Sequence, residues 1–281
     1  MDAIRVLRLL EAEGRPAGAD EQRVLARWGS WGAQGLSQVF DESRAQFDAD
    51  RRTLRDLLTE EQYAAARRTT INAHYTDLAV ATQMWSTMRS LGLTAGEVLE
   101  PGCGSGVFIG LAPDSFRLTG VELDPVTAGI ASQLYPQAQV RAESFADTRL
   151  PVGTFDAVIG NVPFANVTLH DPLHNPGRLA MHNHFIVKSL ALTRPGGMVM
   201  MLTSRYTMDA QNPSGRRAMH DLADLVGAVR LPSGTHRRSA GTDAVTLPAT
   251  GGFRRCRPGL CCSASSRSSG SSSLTPWTTG R

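Results

Sequence analysis

Apolar positions recur at helical spacing along the first 70 residues: Ile4, Val6, Leu7, Leu9 and Leu10, then Val24 and Leu25, then Leu54, Leu57, Leu58 and Tyr63. A period near 3.6 predicts helices, the last running from about Asp48 to Thr70. Between them lies WGSWGAQGLSQVF, rich in turn residues and aromatics. Trp28 and Trp31, three apart, are expected to pack into a core. A further helix is expected in the last part of INAHYTDLAVATQMWSTMRSL. From Glu97 the pattern changes to short apolar runs separated by helical segments: EVLE, LTGVEL, QAQV, FDAVIG, GMVMMLT and VGAVRL. Strands alternating with helices imply parallel βαβ units in a doubly wound α/β sheet. Its ligand is expected at the carboxyl ends of the strands, where strand order reverses.

The pattern fades after Leu247. Pro248 and the pair Gly251 and Gly252 follow where an apolar strand would continue, and residues 263–273 hold eight serines in eleven positions. With VGAVRL (226–231) as the sixth strand, a last strand starting at Asp243 is expected to be short or absent, because proline cannot donate into a ladder and glycine weakens it. The expected organisation is a helical extension (1–70), an α/β domain (71–247) and a disordered Ser/Arg-rich tail (248–281). The tail is read either as a flexible linker or as out-of-frame translation that ends a longer protein.

Charge sharpens this division. The chain carries +3, but from His236 onward seven arginines face one aspartate, so the first 235 residues carry −3. A claim of nucleic-acid binding therefore rests on the site and not on overall charge. No run of 18 apolar residues and no secretory signal is present, so a cytoplasmic protein without a membrane partner is expected. Cys103 lies in the body and the other three cysteines in the tail, without zinc or disulfide spacing. His182 and His184 lie two apart, and His170 and His174 flank Pro172, so no metal site is expected.

Candidate chemistry follows the strand ends. The first strand leads into Glu100-Pro101-Gly102-Cys103-Gly104-Ser105-Gly106, a glycine-rich turn that lets backbone approach a ligand. About 20 residues on, Gly120-Val121-Glu122-Leu123-Asp124-Pro125 places acids where ribose hydroxyls are bound in nucleotide-binding folds. Glu122 is the ribose candidate, while Asp124 before Pro125 is expected to cap a helix. After the third strand, Glu143 and Phe145 are placed to hold an adenine ring by amine and face, with Asp147 as the competing acid. The fourth strand runs into Gly160-Asn161-Val162-Pro163-Phe164, either a target-base motif or a plain strand-to-loop turn. LTRPGG before MVMMLTS reads as a structural turn.

Taken in order, Glu100-Pro-Gly-Cys-Gly-Ser-Gly, Gly-Val-Glu122-Leu-Asp-Pro and Asn161-Val-Pro-Phe resemble the S-adenosylmethionine-dependent methyltransferases, specifically the N6-adenine DNA type. Asn72-Ala73-His74-Tyr75-Thr76 looks like that family's additional cofactor motif. The stretch from WGSWGAQGLSQVF to AHYTD resembles the start of large helicase and methylase fusion proteins of plasmids and phages. The resemblance covers roughly residues 20–247. It implies a Rossmann-like class I methyltransferase fold with S-adenosylmethionine as cofactor. The implied cofactor residues are Tyr75, Thr76, Glu100, Pro101, Gly102, Gly104, Gly106, Glu122, Leu123, Glu143, Phe145 and Asn161. It also implies DNA as substrate, with a helicase or a separate target-recognition domain as partner. In the family, the Asn161 side-chain oxygen and the Val162 carbonyl would accept the two hydrogens of the target amine. Pro163 would fix the turn and Phe164 would stack on the extruded base. Valine stands at 162 where the family has proline, which is expected to loosen the placement of that carbonyl. A protein-glutamine or ribosomal RNA methyltransferase, and a truncated methylase acting only as a binding module, are the competing readings. An acidic body without a recognition domain is expected to turn DNA over slowly.

Overall fold

The computed structural model describes residues 1–32, 36–70, 76–165 and 167–231, and the backbone of 253–256. Its centre is one seven-stranded sheet in the order β3-β2-β1-β4-β5-β7-β6. The strands are β1 (Gly96–Pro101), β2 (Phe116–Glu122), β3 (Gln139–Ala142), β4 (Phe155–Asn161), β5 (Thr193–Leu202), β6 (Ala223–Leu225) and β7 (Phe253–Cys256). The first five pair in parallel, and β7 runs antiparallel between β5 and β6. This is the Rossmann-like α/β fold that the alternating pattern implies. Order reverses between β1 and β4, so a crevice opens at the carboxyl ends of those two strands.

Apolar runs such as Ala157, Val158 and Ile159 are fully buried because helices cover both faces of the sheet. One face is covered by α6 (Leu78–Ser90), whose Met84, Trp85 and Met88 join Val98, Ile159 and Met200. On the other, α9 (Met181–Leu192) packs Phe185, Ile186 and Leu190 against Leu99, Val158 and Val199. Between β2 and β3, α8 (Pro125–Leu134) begins at Asp124, whose side chain accepts from Thr127 N at 2.8 Å, as expected of a cap before proline.

The N-terminal helices are α1 (Asp2–Glu13), α2 (Ala19–Leu25), α3 (Leu36–Val39), α4 (Asp48–Leu57) and α5 (Glu60–Thr69). They build their own cluster from Ile4, Leu7, Leu10, Leu25, Leu54 and Tyr63, and it closes over Val126 and Ile130 of α8. The single helix expected from Asp48 to Thr70 is two. Leu58 turns extended and Thr59 starts α5 with a reciprocal cap, Gln62 N to Thr59 Oγ1 at 3.3 Å and Thr59 N to Gln62 Oε1 at 3.1 Å. Trp28 and Trp31 pack edge to face, ring centroids 4.9 Å apart, in this core as expected.

Two expectations for the C-terminal half are corrected. The sixth strand is Ala223–Leu225, directly after α11 (Ser214–Leu222), whereas 226–231 is irregular, with Val226 and Val229 exposed. Ala223, Asp224 and Leu225 pair with Cys256, Arg254 and Phe253 of β7. The inserted strand described lies at Phe253–Cys256, inside the stretch read as tail. The rest of that stretch and the expected strand start at Asp243 fall outside the described residues. The LTRPGG turn bulges out of β5, whose regular pairing with β4 resumes at Met198.

Candidate functional site

The crevice holds a cavity of about 380 Å³, within the range of small-molecule sites. The glycine loop forms its floor. Gly106 has φ of +86°, and an added Cβ would sit 2.6 Å from the Tyr135 ring, so only glycine fits there. Gly104, also left-handed, turns its N–H to Glu122 Oε2 at 2.9 Å. Glu122 Oε1 accepts from Asp124 N at 2.9 Å, so this carboxyl at the end of β2 is aimed by two backbone donors. It lines the cavity, and burial pushes its pKa up to about 7 against the lowering effect of those donors.

Glu100 lies deeper. Its Oε2 accepts from Ile109 N at 3.2 Å, at the start of α7 (Val107–Gly110). Burial holds its pKa well above the usual carboxylate range, and Glu122 nearby adds to this. The amides at this helix start, where a dinucleotide fold would bind pyrophosphate, are thus already met by a carboxyl of the same chain. The loop fits a nucleoside without phosphates.

On the far wall Phe145 is buried, its ring centroid 4.9 Å from that of Phe185, and both line the cavity. Glu143 lines it too, with Oε1 2.6 Å from Arg141 Nε though without hydrogen-bond alignment. The competing Asp147 is exposed and outside the cavity. At the end of β4, Asn161 lines the cavity, and its Oδ1 is buried without a hydrogen-bond partner among the described residues. Val162 is 1% exposed in the core, and its N–H donates to Leu202 O at 3.0 Å. Valine thus keeps a ladder bond to β5 that proline could not make.

The structure brings Thr76, Glu100, Gly102, Gly104, Glu122, Leu123, Glu143, Phe145, Asn161, Val162 and Pro163 to one cavity. Leu123, 59% exposed, stands at its rim. Pro101 and Gly106 shape it from behind without lining it, and Phe164 packs half-buried against the core of α9 and β5. Tyr75 and His74 lie outside the described residues.

Sequence reasoning missed the contribution of the N-terminal helices. Ser30, Trp31, Arg68 and Thr69 line the cavity. Trp31 Nε1 donates to Asp124 Oδ2 at 2.9 Å and Trp28 Nε1 to Thr127 Oγ1 at 3.1 Å. A pair of tryptophans three apart signals packing, and nothing in their spacing reveals what else they touch. A buried network behind Phe145 was missed as well. Lys188, the only lysine, donates to Asp171 Oδ2 at 3.0 Å, Ala146 O at 3.0 Å and Thr148 O at 3.2 Å, and lies 5.0 Å from the Phe145 ring centroid. His184 Nε2 lies 3.0 Å from the same Asp171 oxygen. Among the described residues no group of three or more histidines, cysteines or acids could hold a metal ion, and no helix is long and apolar enough to cross a membrane.

Residues 99–200 match the family model "Methyltransferase domain". The chain is 29% identical over 170 residues to Defense against restriction protein B of Escherichia phage P1, covering 59% of this chain and 8% of that protein. It is 26% identical over 185 residues to the type II methyltransferase M.XamI of Xanthomonas campestris pv. amaranthicola, covering 57% of this chain and 34% of the relative. The chain thus spans well under half the length of either relative. Two solved structures share its fold. One, described as a class I S-adenosylmethionine-dependent methyltransferase from Listeria monocytogenes, has a TM-score of 0.55 at 15% identity, covering 92% of this chain and 88% of that one. The other, described as the modification subunit of a type I restriction enzyme from Vibrio vulnificus, has a TM-score of 0.54 at 17% identity, covering 79% and 49%. A methyltransferase domain model thus matches residues 99–200, on a Rossmann-like fold whose cavity would hold S-adenosylmethionine.

Proposed function

We propose that the chain transfers the cofactor's methyl group to the N6 amine of adenine in DNA. The observation that carries this reading is Asn161 Oδ1, a buried acceptor without a partner among the described residues, in the same cavity as Glu122. A buried acceptor left unmet costs about 1–3 kcal/mol, which an amine donor of the substrate would offset. The matching restriction-linked relatives favour DNA over protein or RNA.

S-adenosylmethionine supplies an electrophilic methyl group. This chain's residues do the rest. Glu122, oriented by the amides of Gly104 and Asp124, accepts from the ribose hydroxyls, and Glu143 with Phe145 holds the adenine of the cofactor. Asn161 Oδ1 and the Val162 carbonyl accept the two hydrogens of the target amine. An aryl amine conjugates its lone pair into the ring, and two acceptors favour the pyramidal nitrogen that attacks. Val167, Leu169 and Met181 offer apolar cavity wall to an extruded base. Stacking by Phe164 rests on the family resemblance alone. The N-terminal helices and the α/β domain act as one binding unit, and a separate recognition domain or a helicase partner supplies the target. Asn161→Ala tests the assignment: label transfer from methyl-labelled cofactor is lost while cofactor affinity stays within about twofold. Retained transfer contradicts it.

A further inference from the structure

Among the described residues the cavity is lined by four carboxyl groups, Glu100, Glu122, Asp124 and Glu143, and by a single cation, Arg68. The cofactor carries an ammonium and a sulfonium, which acids suit, and one carboxylate, which they repel. That carboxylate needs donors. The glycine loop cannot supply many. Its amides at Gly102 and Cys103 donate to Val121 O at 2.7 and 3.0 Å, Gly104 to Glu122, and Gly106 to Cys103 O at 2.9 Å. The amide of Ile109, at the helix start beyond, meets Glu100.

Arg68 stands where the deficit is. It sits in the last turn of α5, exposed, with no hydrogen bond or ion pair among the described residues. The helix beneath it is fixed: Tyr63 and Ala66 are buried, and rings run from Tyr63 through Phe40 (5.3 Å) to Trp31 (5.8 Å) in the cavity wall. Arg67 beside it can serve the helix dipole equally well, but only Arg68 lines the cavity.

We propose that Arg68 binds the carboxylate of the cofactor's methionine portion, which makes the N-terminal extension part of the cofactor site. This rests on the S-adenosylmethionine assignment. Calorimetry with two ligands separates the two claims: S-adenosylhomocysteine carries the amino-acid arm, and 5′-methylthioadenosine lacks it. Arg68→Ala is expected to weaken S-adenosylhomocysteine by about ten- to a hundredfold, the range of a charge-assisted hydrogen bond, and to leave 5′-methylthioadenosine within about twofold. Arg68→Lys recovers part of the loss, and Arg67→Ala changes neither ligand. Equal weakening of both ligands by Arg68→Ala, or no weakening of either, overturns the proposal. If the unsubstituted chain binds neither ligand, the cofactor assignment itself falls and the proposal with it.

Discussion

Gly104 and Glu122 are joined by a hydrogen bond of 2.9 Å from backbone N–H to carboxyl Oε2, which ties the glycine loop to the end of β2. The carboxyl is presented to the cavity at the cost of burial, and its pKa of about 7 stands above an ordinary 4.5. The folded chain therefore holds this proton more tightly than the unfolded chain. The resulting stability is fully present below about pH 4.5 and is lost as pH rises through about 7. Denaturant unfolding is expected to show stability falling over that window, by at most about 1.4 kcal/mol per pH unit from this group. Glu122→Gln flattens the slope, and an unchanged slope would contradict the assignment. Glu122→Ala should also weaken S-adenosylhomocysteine by tenfold or more.

Val162 answers the question raised by the departure from the family's proline. Its N–H continues the β4–β5 ladder and its side chain fills the core. Restoring the family residue with Val162→Pro removes both. The expected outcome is a loss of about 1–3 kcal/mol in unfolding free energy and no gain in methyl transfer. A stabilised or faster Val162→Pro variant would show that the ladder bond has no weight.

Trp31 reaches Asp124 across the boundary between the helical extension and the α/β domain. Trp31→Phe keeps the ring but leaves Asp124 Oδ2 with fewer donors. A loss of about 1–2 kcal/mol is expected, with weaker cofactor binding because Asp124 also bonds Glu122 through its amide. Unchanged binding would separate the extension from the site.

The side chains of Asp171 and Lys188 are each 1% exposed and 3.0 Å apart. The donors Lys188 and His184 hold the Asp171 carboxyl at a pKa of about 2 despite burial. Its contribution is present above about pH 3.8 and lost as pH falls through about 2. Lys188→Met leaves a buried carboxylate short of its cation and is expected to cost about 3–5 kcal/mol, whereas Asp171→Leu combined with Lys188→Met costs far less. Thermal unfolding of the two variants decides this, and equal losses would mean that the pair contributes only packing.

Much of the α/β half was legible because its signals are local. Strand runs, the glycine loop, the Asp124 cap and the acid at Glu122 are each set within a few residues. The Thr59–Gln62 box is equally local, but the apolar period on either side concealed it and a single helix was expected there. The N-terminal wall was not legible: Trp31 and Arg68 meet the cavity only because the helical cluster closes over α8. Nor was the Asp171–His184–Lys188 network, whose members are brought together by the loop after β4. VGAVRL was misread because strand-like composition does not say which residues the ladder engages, and it engages the three before it.

The central claim is methyl transfer to adenine N6, and its most direct measurement is mass spectrometry of nucleosides from DNA incubated with the chain and methyl-labelled S-adenosylmethionine. Single-stranded DNA avoids the cost of base extrusion, roughly a few kcal/mol, that an acidic body with few phosphate contacts meets poorly. The account predicts label in N6-methyldeoxyadenosine, slow on duplex and faster on single strands, and lost in Asn161→Ala. Label on cytosine, or no labelled nucleoside from a chain that binds S-adenosylhomocysteine, would contradict it.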